Sequence, residues 1–343
     1  MTSAVLSLPL LRHRRIRHRQ IVIAMLLALL VAGAALTLSV GQTITPPSDV
    51  LAVLFGRDVP GASFTVGTLR LPRVVMAILA GLCFGLGGTA CQILLRNPLA
   101  SPDIIGISAG SGAAAVFAIV VLGWSGFGVS ALSIIGGLGA AALIAALAWR
   151  DGLSGGRLIL IGIGVSTLLN SAIAWLLLQA PAWSLQDALR WLTGSLNTAS
   201  LDQALPLIVA LLICGGVLLS LTRDIAALQL GDDKAAALGV RIGAVRVAVI
   251  LAVVGLIAVA TAATGPIAFV AFLAGPIAAR IAGPGQPPLI PAALIGALLV
   301  LGADYAGQFL LPHRYPVGVV TGALGAPFLL SLIIRMNRTG RLT

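Results

Sequence analysis

Few residues in this chain could carry chemistry, and their spacing excludes most reaction types. The acidic residues are ten aspartates with no glutamate, and Lys234 is the only lysine among 21 basic residues. His13 and His18 sit in an arginine-rich stretch and His313 stands alone, so no spacing suits a metal ion. Cys83, Cys91 and Cys214 lie inside apolar runs, which fits buried thiols rather than a disulfide framework. A Gly-x-x-x-x-Gly-Lys phosphate loop is impossible, because Lys234 follows Asp232 and Asp233. Ser-x-x-Lys and His-Glu-x-x-His are also absent. The sequence therefore predicts no catalytic residues, no metal site, no cofactor and no ATP site of its own.

Three charged constellations remain. Arg70-Leu-Pro-Arg73 precedes a long apolar run, and either snorkels at a membrane interface or presents a basic rim to an acidic partner. Arg96-Asn97-Pro98-Leu-Ala-Ser-Pro-Asp103 reads as a tight turn, with Asp103 placed to cap the helix that follows. Gly231-Asp232-Asp233-Lys234-Ala-Ala-Ala237-Leu238-Gly239 reads as a short helix with acids at its start and glycine at its end. It is either a solvated helix or a docking element for another protein. Polar groups inside apolar runs are few, and those singled out are Ser166, Asn170, Thr261, Thr264 and Asp304. An intramembrane carboxylate is a functional candidate by default, yet no second carboxylate is placed to pair with Asp304.

The elements that position these residues follow from composition. The chain has 343 residues, of which 59% are hydrophobic and only 9% charged, with a net charge of +11. Mean hydropathy is +1.10. A soluble globule of this size needs more charge than that on its surface. The basic residues are scattered between apolar runs rather than gathered on a face, which argues against nucleic acid as a partner. A hydrocarbon core of about 30 Å needs roughly 20 apolar residues of helix. Ten runs qualify, near 20–40, 70–94, 103–122, 128–149, 157–180, 204–222, 247–264, 267–282, 288–310 and 316–335. The first is long and lacks a small-x-small cleavage site, so it is expected to stay as a span.

The eighth run is short and contains Gly275-Pro276, and the positive-inside rule decides it. With ten spans and both termini cytoplasmic, 16 basic residues fall inside and five (Arg57, Arg70, Arg73, Arg190 and Arg314) outside. Without the eighth span the split is 13 to 8, so ten is preferred. The expected organisation is a basic cytoplasmic tail at 1–19, a ten-span domain at 20–335 with its main inside loop about 224–240, and a tail at 336–343. There are 41 glycines, and pairs such as Gly81 and Gly85, Gly106 and Gly110, or Gly318 and Gly322 suit close helix contact. The Gly-Pro pairs suggest broken helices, which membranes tolerate where protein or a water-filled cavity covers the backbone. That favours a transporter.

The strings "RLPRVVMAILAG", "CQILLRNPLASPDIIGISAGS", "GDDKAAALGVR", "TGPIAFVAF" and "YPVGVVTGALGAPFLL" resemble the FecCD/BtuC family, in order, over residues 65–335. These are membrane subunits of bacterial ABC importers for ferric siderophores, haem and vitamin B12. The strings "RLILIGIGVSTLLNSAIAWLLLQA", "GSLN" and "LPHRYPVGVVT" are most similar to the branch that takes enterobactin-like catecholate chelates. The resemblance implies an all-α, ten-span type II importer domain in the inner membrane, paired with a second permease subunit, a heterodimer being favoured over a homodimer. It also implies two ABC ATPase subunits and a periplasmic or lipid-anchored siderophore-binding protein. By the resemblance, Arg70 and Arg73 meet that binding protein, Gly231 to Gly239 couple to the ATPase, and spans five and ten line the pathway through Ser166, Asn170, Gly318, Thr321 and Gly322. Two departures stand out. Gln308 replaces a family arginine, and Gly275-Pro276-Ile-Ala-Ala-Arg280 replaces Pro-His-Ile-Ala-Arg. The expected function is ATP-driven import of a ferric-siderophore chelate by alternating access. Alternatives are haem or cobalamin as cargo, and, in a different class, an ion-coupled carrier.

Overall fold

The computed structural model describes residues 2–149, 155–283 and 285–338. Arg150, Arg341 and the last part of the 336–343 tail lie outside them. Among the described residues the chain is helical, apart from one isolated bridge between Val40 and Ile44. Helix α1 spans Thr2–Ser39, so the basic stretch expected as a tail continues into the first apolar run as one helix. Helix α2, Pro47–Leu54, follows. A π-helical segment, Ser63–Arg70, leads into α3, Leu71–Leu94. Then come α4 (Ile107–Val120), α5 (Phe127–Ala148), α6 (Gly155–Gln179) and α7 (Ala182–Leu192). Helix α8 (Ala204–Ala210) passes through a π segment into α9 (Gly216–Ser220). Two short helices, α10 (Thr222–Leu228) and α11 (Asp232–Ala237), precede α12 (Ile242–Thr264). The chain ends with α13 (Val270–Ala282), α14 (Leu289–Tyr305) and α15 (Val317–Arg338).

Among the described residues seven helices are long and apolar enough to cross a membrane, and three shorter apolar ones are Ile107–Val120, Val270–Ala282 and Val317–Leu332. Each coincides with one of the ten runs read from the sequence. In hydrocarbon there is no hydrophobic drive between helices, so close backbone packing and satisfied polar groups must hold the bundle. Helix α3 shows how. The span containing it is 78% buried, whereas that of α6 is 17% buried. Small residues let α3 lie directly on α14. A side chain at Gly81 would put its Cβ 2.5 Å from the Gly296 carbonyl oxygen, and one at Gly85 would meet the Ala292 carbonyl. Gly110 of α4 does the same against Gly136 and Ala140 of α5. Helices α12 and α13, and to a lesser extent α8 and α1, also pack on α3.

Helix α13 carries Pro276 inside it. Proline has no N–H to give to the carbonyl four residues earlier, that of Phe272. Buried Gln92 of α3 donates its Nε2–H to the Phe272 carbonyl oxygen at 2.9 Å and takes the missing place. Any Cβ at Gly275 would collide with the Gln92 amide oxygen, so glycine before the proline is what admits that side chain. The Gly275-Pro276 departure is thus a helix break repaired by a neighbouring helix.

Candidate functional site

The charged constellations gather at the two ends of α3. At its C-terminal end the chain turns on Arg96, which has φ +50°, a left-handed conformation that glycine usually takes after a helix. The retained side chain has partners that glycine would lack. Its Nε–H donates to the Leu228 carbonyl oxygen at 2.9 Å, and its Nη2–H donates to Asp232. Asp232 also accepts from Nη2 of Arg246, at 2.9 Å and 2.8 Å to its two oxygens. Partial burial alone would raise the Asp232 carboxyl, but the hydrogen bonds and charges of Arg246 and Arg96 outweigh it and hold it below the usual range. One carboxylate therefore joins the end of α3, the start of α11 and the first turn of α12.

Helix α11 is bracketed by Gly231 (φ +109°) and Gly239 (φ +82°), the two left-handed positions that let a six-residue helix turn in and out of the loop. It has two faces. Asp232 and buried Ala235 turn inward, whereas Asp233, Lys234, Ala237, Leu238 and Gly239 are exposed. Leu238 is 65% exposed and Leu230, just before the helix, 56%. The short helix expected at Gly231–Gly239 is present, with its residues divided between an anchoring and an open side.

Asn97 and Pro98 form the turn after α3. Asn97 Oδ1 accepts from the Leu99 backbone N–H at 2.9 Å. Asp103 does not stay with them. The following segment folds back into the bundle, and Asp103 shares a cavity of about 220 Å³ with Phe84, at the midpoint of α3, and with Leu192 and Pro266–Phe269. Nor does it cap α4 through the backbone. The residue before α4 is Gly106 in a left-handed conformation, and Asp103 instead accepts from the side-chain hydroxyls of Ser101 and Ser108. Asp103 is exposed within that cavity.

At the N-terminal end of α3, Arg70 is buried. It donates Nη1–H to the Leu38 carbonyl at 2.8 Å and Nη2–H to the Thr43 carbonyl at 2.7 Å, which ties the 38–45 segment to the helix. Arg73 makes a two-pronged pair with Asp304 of α14, Nε to Oδ2 at 2.6 Å and Nη2 to Oδ1 at 2.7 Å. Asp304 is 2% exposed and the Arg73 side chain 18%. The intramembrane carboxylate therefore has a partner, and both oxygens are in use. Arg57, Arg190 and Arg314 are exposed, unlike these two.

The pathway candidates divide. Asn170 is exposed on the open face of α6, while the Ser166 hydroxyl is buried without a partner and lies near Gly106. Gly322 has open space beside it. Thr321 is buried and donates to the Gly318 carbonyl at 3.1 Å, and Gly318 presses on the Thr193 carbonyl. Gly318 belongs to a junction that spacing could not reveal. Its N–H donates to the Gly194 carbonyl at 3.1 Å, and the Ser195 N–H donates to the Thr264 carbonyl at 2.8 Å. Gly194 and Gly265 stack backbone on backbone. Three strings far apart in sequence, "GSLN", "TGPIAFVAF" and "YPVGVVTGALGAPFLL", thus meet at one point. Beside it a cavity of about 280 Å³ is lined by Trp124, Arg190, Trp191, Asn197, Gln203 and Gly265, among others. Gln308 lies 3.5 Å from Asn197 at the same place. Among the described residues no three His, Cys, Asp or Glu side chains gather as a metal site would require.

The model of the FecCD transport family matches residues 26–335. The ferric enterobactin transport system permease protein FepG of Escherichia coli K12 is 39% identical over 302 residues, covering 87% of this chain and 91% of that protein. The achromobactin transport system permease protein CbrC of Dickeya dadantii 3937 is 40% identical over 320 residues, covering 92% and 91%. Among solved structures, an inward-facing transporter described as of metal-chelate ABC type aligns with TM-score 0.80 and 29% identity, covering 92% of this chain and 99% of that one. With its apolar helices and this match over nearly all its length, the chain is a multi-pass membrane protein that belongs to the FecCD transport family.

Proposed function

We propose that this chain is a permease subunit of an ATP-driven importer that moves a ferric-siderophore chelate, of the catecholate type, across the bacterial inner membrane. The relatives named for enterobactin and achromobactin support an iron chelate as cargo. In this reading the N-terminal end of α3 faces outward, both chain termini face the cytoplasm and ten segments cross the membrane. The sparsely buried α6 and the open side of α15 at Gly322 face the pathway and a second permease subunit, a sister chain being favoured over a copy of this one. The chain has no chemistry of its own; ATP is hydrolysed by a separate pair of subunits.

The observation that carries the reading is α11. It is a separate helix held out from the longest loop, with exposed Asp233, Ala237 and Leu238 on one side and an anchor on the other. That is the shape required of an element pushed by a partner protein. A binding protein docks at the opposite end. Arg70 and Arg73 hold that rim in shape, and the exposed Arg57, Arg190 and Arg314 supply the positive charge it meets. Replacing Asp232, Asp233 and Leu238 together tests the coupling. The expected outcome is a chain that inserts normally but supports neither uptake nor binding-protein-stimulated ATP hydrolysis; normal uptake would refute it. An ion-coupled carrier is disfavoured because Arg73 occupies both oxygens of Asp304.

A further inference from the structure

The coupling loop contains two acids side by side, and the structure gives them different work. Asp233 is exposed on the outer side of α11. Asp232 is turned inward, and its carboxylate is shared by Arg96 and Arg246. We propose that Asp232 is a positioning residue: it locks α11 to the end of α3 and to the first turn of α12, so that a push on α11 is delivered to the most buried helix of the bundle rather than absorbed by the loop. This rests on the reading of α11 as the coupling element and names how its motion leaves the loop.

Four observations carry it. Arg96 holds a left-handed conformation that is unfavourable for a non-glycine residue, and its side chain makes contacts that glycine could not. Among them is a second contact with the same loop, its Nε–H to the Leu228 carbonyl at the end of α10. Arg96 therefore grips both short helices, α10 by the backbone and α11 by the acid. Arg246 grips Asp232 through both oxygens from the first turn of α12, a helix that itself packs along α3. Finally, α10 is held in the bundle by buried Ile225 and Leu228, whereas α11 has little apolar anchorage of its own. Of the α11 residues only Ala235 is buried, and an alanine methyl resists displacement weakly. The cluster is half-exposed, with side-chain exposures of 42% for Arg96, 44% for Asp232 and 26% for Arg246. Such pairs add little to global stability. Their place in the sequence of contacts, not their strength, is what matters here.

The test uses the whole transporter, with its ATPase and binding-protein partners, in membranes. Asp232→Asn, Arg246→Gln, Arg96→Gln and the double Asp232→Asn/Arg246→Gln are compared by three readouts: ATPase subunit co-purified, iron-55 catecholate chelate imported per ATP hydrolysed, and amide exchange of residues 228–240. The expected result is co-purification within about twofold of wild type and import per ATP about tenfold lower in each single variant, with the double no worse than a single because the groups act as one unit. Exchange in α11 rises in all of them, and Asp232→Glu restores import toward wild type. Losses that multiply in the double, unchanged α11 exchange, or loss of the ATPase from Asp232→Asn alone would overturn the proposal. The last outcome would mean that Asp232 touches the partner directly. Leu238→Asp separates the two levels. Wild-type assembly and import in that variant would refute α11 as the coupling element, while the exchange data would still report whether Asp232 anchors it.

Discussion

Helix α3 begins and ends in an arginine held by an aspartate, and the two ends are built differently. At Arg73 the pair is buried, two-pronged and closed: one arginine, one carboxylate, two long helices already packed together through Gly81 and Gly85. At Arg96 the carboxylate is half-exposed, shared by two arginines, and carried by a six-residue helix in a loop. The first arrangement resists any relative movement of α3 and α14. The second permits movement but keeps α11, α3 and α12 in step. A transporter driven from one side of the membrane needs both, a rigid seam and a tethered lever. The same two residue types supply them because burial and partner number differ.

The largest expected effect comes from breaking the closed pair. Asp304→Ala leaves the Arg73 charge without a partner in a nearly buried place, and should cost about 3–5 kcal/mol of stability. Thermal unfolding of the detergent-solubilised chain measures it; a cost below about 1 kcal/mol would make the seam no stronger than an exposed pair. Next is Gln92→Leu, which orphans the buried Phe272 carbonyl at the Pro276 break and should cost about 1–3 kcal/mol. Asp232→Asn sits below both, at less than about 1 kcal/mol of global stability, although import should fall. If Asp232→Asn destabilised the chain as much as Asp304→Ala, the contrast between the two ends would collapse.

Acid sharpens the same contrast. The Asp232 carboxyl is held below its ordinary range, so its contribution is complete at neutral pH and is lost only as pH falls through that lowered value. Protection of α11 amides, corrected for intrinsic exchange, should be flat from about pH 8 to about pH 5 and fall below about pH 4. Loss between pH 7 and 5 would show that the carboxylate does not hold the helix. The smallest effect is at the far rim. Charge reversal of Arg190 or Arg314 should weaken binding-protein docking a few-fold, and added salt should erase the difference.

Much of this was legible before the structure. Hydropathy located every apolar helix, including the short ones at 107–120 and 270–282, because a membrane span declares itself by length and apolarity. The glycine pair 81 and 85 was read as a contact face and is one. The helix at 232–237 was visible from its acids and flanking glycines. What could not be read was pairing across distance. Arg73 and Asp304 are 231 positions apart and Arg96 and Asp232 are 136 apart, and nothing in local pattern joins them. One signal was available: a lone carboxylate in an apolar run must find a cation, and Arg73 lies near the same predicted end of the bundle. The capping role expected of Asp103 also depended on what local pattern does not fix: Gly106 precedes α4, and Asp103 accepts from the hydroxyls of Ser101 and Ser108 instead.

The central claim is that this chain carries an iron chelate by borrowing another subunit's ATPase. Uptake of an iron-55 catecholate chelate by cells lacking the chain, with and without its return, tests that most directly. The account predicts that uptake depends on the chain, stops when the partner ATPase is inactivated, and persists when the proton gradient is dissipated with ATP maintained. Uptake that survives loss of the ATPase and collapses with the gradient would contradict it.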